Sequence, residues 1–269
     1  MSDVLLVAMT TAAGPGRPEF PHPLAPLVAL PGVAAAAERA RDALAAVHRH
    51  PANLRGWSST AMEASWRGAR CSAAIDGGSV ELRRDGDYDD PLLAGAMRVA
   101  QALDGDSLEQ LVGVYRRAPA QALARLHMLA AADLVADADD LGRPRPDPDV
   151  SARLNLLAQI ITAPAGVPAP VVVAVVHGEL LALAPFAEAN GIVARGASRL
   201  ACVATGLDPH NLGVPEVAWL KRSPEYHRLA QEFGAGTPDG LGAWIVLCCE
   251  ALEAGAAEAA SIAEAARPR

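Results

Sequence analysis

Between Leu183 and Arg195 the chain reads Leu-Ala-Pro-Phe-Ala-Glu-Ala-Asn-Gly-Ile-Val-Ala-Arg. A helix-like apolar run ends at Pro185-Phe186, Asn190-Gly191 makes a tight turn, and a second helix starts at once. The free backbone N–H groups of such a helix, with Arg195 in its first turn, form an anion site, and phosphate is the guest that chemistry favours. Asn190, Gly191 and Arg195 are therefore the candidate nucleotide-binding residues. Glu188 reads either as a carboxylate for Mg²⁺ or as an acid that complements the helix dipole. An ordinary inter-helix turn at Asn190-Gly191 is the plain alternative.

Upstream, Ser72 and Asp76 fall one helical turn apart and share a face. They read as a helix-end pair or as a regulatory pair. His177 sits in the apolar run ahead of the turn, where a hydrogen-bonded core histidine is the first expectation and a proton-transfer role the second. His48 and His50, before Pro51, read as surface residues at a helix end. Arg195 and Arg199 share one side of the second helix, and at least one is expected to be an exposed charge.

Composition sets the frame for these groups. Of the 269 residues 51% are hydrophobic and 4% aromatic, with a net charge of −8. Alanine supplies much of the apolar content, which favours closely packed helices and an all-α fold. With Lys221 the only lysine, no basic stripe is available, and nucleic acid is not expected as a partner. Cys71, Cys202, Cys248 and Cys249 lack zinc spacing and read as reduced thiols. The run Val171 to Phe186 contains His177 and Glu179 and is short for a membrane span; no signal peptide is legible, so a cytoplasmic protein without membrane partners is expected.

The elements that must position the turn follow from periodicity and punctuation. Residues 1–32 carry Pro15, Pro18, Pro21, Pro23, Pro26 and Pro31 and read as a Pro/Gly-rich arm draped on the body through Leu24, Leu27 and Leu30. Residues 33–269 read as one helical domain. Helices are predicted over Val33–His50, from a capping box at Thr60–Glu63 to Gly77-Gly78, from Pro91 to about Leu103, and from a Ser107 cap over 108–135 with a break at Pro119. A charged loop at 83–90 and a Pro-rich loop at 137–149 separate them. Further helices are predicted over 150–161, 191–204, 214–233 and 241–266. Val171 to Leu183 has strand propensity, yet it continues without a turn signal and is read as a buried helix.

The 184–195 stretch resembles the signature of the Fic family, His-Pro-Phe-x-Asp/Glu-Gly-Asn-Gly-Arg-x-x-Arg. Pro185, Phe186, Glu188, Asn190, Gly191 and Arg195 match in register, and His177 falls where family members often carry a histidine two turns upstream. Leu126-His127 followed by Gly142-Arg-Pro-Arg145 resembles the family's leucine-histidine helix and its Gly-x-x-Arg tail. Cys71-Ser-Ala-Ala-Ile-Asp-Gly77 resembles its inhibitory helix, Ser-x-x-x-Glu-Gly.

The resemblance implies an all-α fold around a central helix pair, with ATP or another nucleotide and Mg²⁺ as cofactors, a protein partner as target, and AMP transfer as the activity. In the family the loop histidine deprotonates the target hydroxyl, and that position here is Ala184, which cannot move a proton. Losing a general base costs on the order of 10²–10⁴-fold in rate. The first arginine of the signature is Ile192. Asp76 stands for the inhibitory glutamate, one methylene short of it, and reaches Arg195 only if the helices lie closer. Between Arg145 and Val150 there is little chain for the family's β-hairpin flap. The reading is thus of a degenerate Fic-like protein with no catalytic residue, which keeps a nucleotide-binding loop and acts by binding or regulation. The alternative is an active transferase whose base is reassigned to His177 or to the 137–149 loop. A third is a helical interaction module that meets a protein partner through the Pro-rich arm or the Ala-rich C-terminal helix. The partner's identity and any homo-oligomer stay open.

Overall fold

The computed structural model describes residues 22–81 and 88–266. The first part of the arm and most of the 83–90 loop therefore lie outside the described residues. Among the described residues there are twelve α-helices and no strand. They are α1 (Ala25–Val28), α2 (Val33–His48), α3 (Asn53–Ile75), α4 (Pro91–Ala102), α5 (Gly105–Arg117), α6 (Pro119–Ala130), α7 (Pro148–Thr162), α8 (Ala169–Leu183), α9 (Asn190–Ala204), α10 (Pro215–Lys221), α11 (Ser223–Ala235) and α12 (Pro238–Ala265).

The arrangement is an all-α layer around one central pair. α8 and α9 pack along each other; α2, α7, α11 and α12 surround α8, while α3, α4, α5 and α6 surround α9. Both central helices are covered on all sides. That explains why Val171 to Leu183 shows no amphipathic period and mimics a strand by propensity: a helix buried all round has no polar face to display. The same burial corrects the expectation for α9. Its two sides were expected to differ in exposure, yet every residue from Ile192 to Cys202 is buried, Arg195 and Arg199 included.

Proline and glycine place most boundaries. Pro91, Pro119, Pro148, Pro215 and Pro238 each occupy a first turn, where the missing N–H has no intrahelical acceptor to lose. Pro119 divides the long 108–135 stretch, whose second half stops at Ala130. Three boundaries differ from the sequence reading. α3 begins at Asn53 and bends at Gly56, and Thr60 is a buried mid-helix residue whose hydroxyl donates to Trp57 O and Asn53 Oδ1 instead of capping an N-terminus. α5 begins at Gly105, which puts Ser107 in its first turn. Residues 214–233 form two helices that meet at Arg222.

The described part of the arm is tethered as expected: Leu24 is buried with Ile160 and Val175, and Leu27 and Leu30 pack on the core. It also holds a helical turn, α1, which its proline density argued against; Pro26 is tolerated because it stands in the first turn. α12 is long and apolar enough to cross a membrane by length and composition alone, but 67% of that stretch is buried inside the bundle.

Candidate functional site

The loop between α8 and α9 is held by Arg145 and by His127 with Gly142, while Ser72 and Asp76 meet the helix that follows it. Arg145 clamps its start: Nε donates to Ala184 O at 3.0 Å and Nη2 to Leu183 O at 3.1 Å, which satisfies carbonyls at the end of α8. The Arg145 backbone N–H donates to Pro185 O. His127 stacks on Phe186 with ring centroids 4.2 Å apart, and its Nδ1 accepts from Gly142 N. Burial lowers the pKa of His127, which favours the neutral ring such stacking uses.

The turn itself is strained. Ala184 (φ 42) and Ala189 (φ 56) both adopt left-handed backbone, which costs a residue with a Cβ roughly 1–2 kcal/mol. At the second of these positions the resembled signature has glycine. Asn190 compensates: its Oδ1 accepts from Phe186 N at 2.9 Å and its Nδ2 donates to Phe186 O at 2.8 Å. The Asn190 side chain is thereby committed to the loop, leaving its backbone as the part that can serve an anion. Glu188 is exposed. Among the described residues no group of three or more His, Cys, Asp or Glu is gathered for a metal ion. Glu188 fits Mg²⁺ only as a single carboxylate, with a nucleotide's phosphates as further ligands.

Ser72 and Asp76, at the end of α3, converge on Arg195. Arg195 Nε donates to Ser72 Oγ at 2.7 Å, and Nη2 donates to Ser72 O at 2.9 Å and to Asp76 Oδ2 at 2.6 Å. The shorter acid does reach, because the helices are close. A Cβ added to Gly191 would fall inside van der Waals contact distance of both Asp76 oxygens, so the carboxylate rests against the first turn of α9. The Asp76 carboxylate thus occupies the place where the sequence led us to expect an external anion.

Behind the ion pair the polar chain continues inward. Arg195 Nη1 donates to Tyr226 Oη at 3.3 Å, and Tyr226 Oη lies 2.9 Å from His177 Nε2. Arg195, Tyr226 and His177 are all fully buried. Burial opposes the charge of Arg195, yet Tyr226 and Asp76 outweigh it and hold the guanidinium more firmly protonated than usual. Burial, reinforced by Arg195, drives the pKa of His177 well below its ordinary value. His177 is a core histidine with Nε2 already engaged, and nothing in its surroundings suits it to accept a proton from a substrate.

Ile192 lines, with Arg195, Val99, Leu103, Ser65 and Ser72, a cavity of about 20 Å³, room for one water. One turn on, Arg199 forms a bidentate pair with Glu216 at 2.6 and 2.8 Å and donates to Asn211 Oδ1 at 2.9 Å. The sequence reading did not identify Tyr226, Glu216 or Asn211. For Glu216 a signal existed: a single charge among Val214, Pro215 and Val217 is more readily explained by a buried partner than by solvent. His48 is likewise no free surface residue, since its Nε2 lies 2.9 Å from the buried Asp208. Arg145 leads through Asp147, the α7 cap, directly into that helix, so no hairpin flap stands between 145 and 150.

No protein-family model matches the chain, and no curated protein matches its sequence. Among solved structures, Fic-1 from C. elegans (residues 134–508) is similar, with a TM-score of 0.67 and 15% identity over 88% of this chain and 76% of that one. At that identity the likeness speaks to the fold, and the chain has the all-α fold of a Fic domain.

Proposed function

We propose that this protein is a degenerate Fic-like protein that binds a nucleotide or related phosphate at the α9 N-terminus and works as a binding or regulatory protein instead of an AMP-transferase. The supporting observation is the pairing of a retained loop with an absent base. Arg145, His127, Phe186 and Asn190 still build the turn, while the side chain at its chemical centre is the methyl of Ala184. In this reading Arg195 and the Gly191 backbone receive phosphate, Glu188 meets Mg²⁺ carried by the nucleotide, and Asp76 is the competitor that the ligand displaces. Ser72 keeps Arg195 in place during the exchange.

Calorimetry with ATP, ADP and AMP in the presence of Mg²⁺ tests the proposal. Asp76→Ala is expected to bind at least tenfold more tightly than the wild type, since a charge-assisted bond of about 1.5–3 kcal/mol no longer competes. Arg195→Ala in that background should abolish binding. Absence of binding by Asp76→Ala at millimolar nucleotide, or an AMP adduct on the protein or on lysate proteins by intact mass, overturns the reading.

A further inference from the structure

The polar chain behind Arg195 has a fixed proton order, and we infer from it that Tyr226 is a positioning residue that aims Arg195 at the α9 N-terminus. The inference rests on the proposed anion site. Arginine donates and never accepts, so Tyr226 Oη, 3.3 Å from Arg195 Nη1, must be the acceptor of that contact. The phenol proton then needs an acceptor of its own. His177 Nε2, 2.9 Å away, supplies it when the ring carries its proton on Nδ1. The other tautomer puts two donors on the phenol oxygen. It leaves both the Tyr226 hydroxyl proton and the Nδ1 lone pair without partners, two buried losses against one.

The surroundings of His177 agree with this order. Its Nδ1 has no hydrogen-bond partner and no exposure. The ring packs against Trp219, with centroids 4.6 Å apart, and against Trp244, at 5.2 Å, in T-shaped contacts that hold it in place. His177 is thus the fixed inner end, Tyr226 the link, and Arg195 the outer end. Ser72 and Tyr226 together take donors from all three guanidinium nitrogens. When Asp76 leaves, these inner contacts keep the guanidinium facing the helix terminus instead of folding away. A binding site assembled in this way gives up only Asp76 on opening.

Two measurements decide the matter. Long-range proton–nitrogen correlation spectra of the wild type at neutral pH should show His177 neutral and protonated at Nδ1; an Nε2–H ring overturns the proton order. In the Asp76→Ala background, Mg-ADP affinity is compared with and without Tyr226→Phe, which removes one oxygen and keeps the ring. A loss of roughly tenfold is expected for one hydrogen bond to a charged group, alongside a shift of the His177 signals. Equal affinity overturns the positioning role. If Asp76→Ala itself binds no nucleotide, the anion reading fails, and the proton order stands or falls on the spectra. Thermal melts of each variant separate these effects from unfolding.

Discussion

Arg195 and Arg199 occupy successive turns of one helix, both buried and both facing a carboxylate, yet they belong to different kinds of site. Arg199 is closed. Its fork is matched by Glu216, whose side chain is 2% exposed, and by Asn211, which in turn donates to Leu103 O. Arg195 is closed on three sides only. Its carboxylate, Asp76, is the C-cap residue of α3 and retains 21% exposure, so it can turn to water while Ser72 and Tyr226 keep their bonds to the guanidinium. A buried pair with no exit fixes the packing of α9 against α10. A buried guanidinium whose partner reaches the surface is the arrangement on which the proposed opening rests.

The strongest challenge to this contrast is to remove each guanidinium in turn. Arg199→Met should cost about 3–5 kcal/mol in urea unfolding, because Glu216 stays buried and unpaired. Arg195→Met should cost clearly less, since Asp76 can rehydrate. Equal losses would mean that Asp76 is as trapped as Glu216, and the opening motion would lose its basis.

A second, smaller perturbation pushes on Arg199 through its floor. A Cβ on Gly68 would collide with Arg199 Nη2 and crowd Glu216 Oε2, two groups held to each other by the bidentate pair. Gly68→Ala is therefore expected to destabilise by about 1–3 kcal/mol, the range for overpacking in a rigid interior. A neutral result in a thermal melt would show that the Arg199 pair is softer than its geometry implies.

The contrast was only half legible in the sequence. The turn, the matching segments and the shared face of Ser72 and Asp76 are local patterns, and the fold brings those segments together on the loop. The central pair was legible as helix because Val171 to Leu183 runs on without a turn signal. What decides the fate of a charge is its partner, and the partners of Arg195 lie 119 and 123 residues earlier and 31 later, at distances where spacing carries no information. A helix wheel puts Arg195 and Arg199 on the more polar side of α9. The tertiary fold then covers that side with α3, and Glu216 of α10 closes over Arg199. The capping box at Thr60 failed for a related reason: Asn53, seven residues away, offers its hydroxyl a better acceptor from inside the same helix.

Acid separates the two regions by pH. His177, on the Arg195 side, has a folded pKa well below the ordinary 6.5, lowered by burial and then by Arg195. The unfolded chain takes up a proton that the folded chain refuses, so this contribution is complete above about pH 7 and is lost as pH falls below 6.5. The slope is up to about 1.4 kcal/mol per pH unit for each histidine held neutral, and His127 and His210 share the direction. Asp208, on the Arg199 side, has its pKa lowered: burial works against its charge, and bonds from His48, Gly213 N and Leu212 N outweigh it. Its contribution is present above the ordinary 3.8 and is lost only as pH falls below that value. Urea midpoints for wild type and His177→Gln between pH 7 and 5 check the assignment. The variant should show the shallower decline, and parallel curves would mean that His177 titrates with the others or not at all.

The smallest effect on stability is expected at Gly191, and for that reason it sharpens the contrast most. The atoms a Cβ would strike here are the two oxygens of Asp76, the end of a side chain that reaches the surface, whereas at Gly68 they belong to a locked pair. Gly191→Ala should therefore lower stability by less than Gly68→Ala does, because displacing Asp76 leaves Arg195 bonded to Ser72 and Tyr226. It also pushes the carboxylate off the helix terminus. If the site opens as proposed, Mg-ADP should bind more tightly to the variant than to wild type, though less tightly than to Asp76→Ala, because the methyl narrows the space a phosphate would take. A stability loss as large as that of Gly68→Ala would place Asp76 among the fixed groups, and the two arginines would then differ only in the identity of their partners.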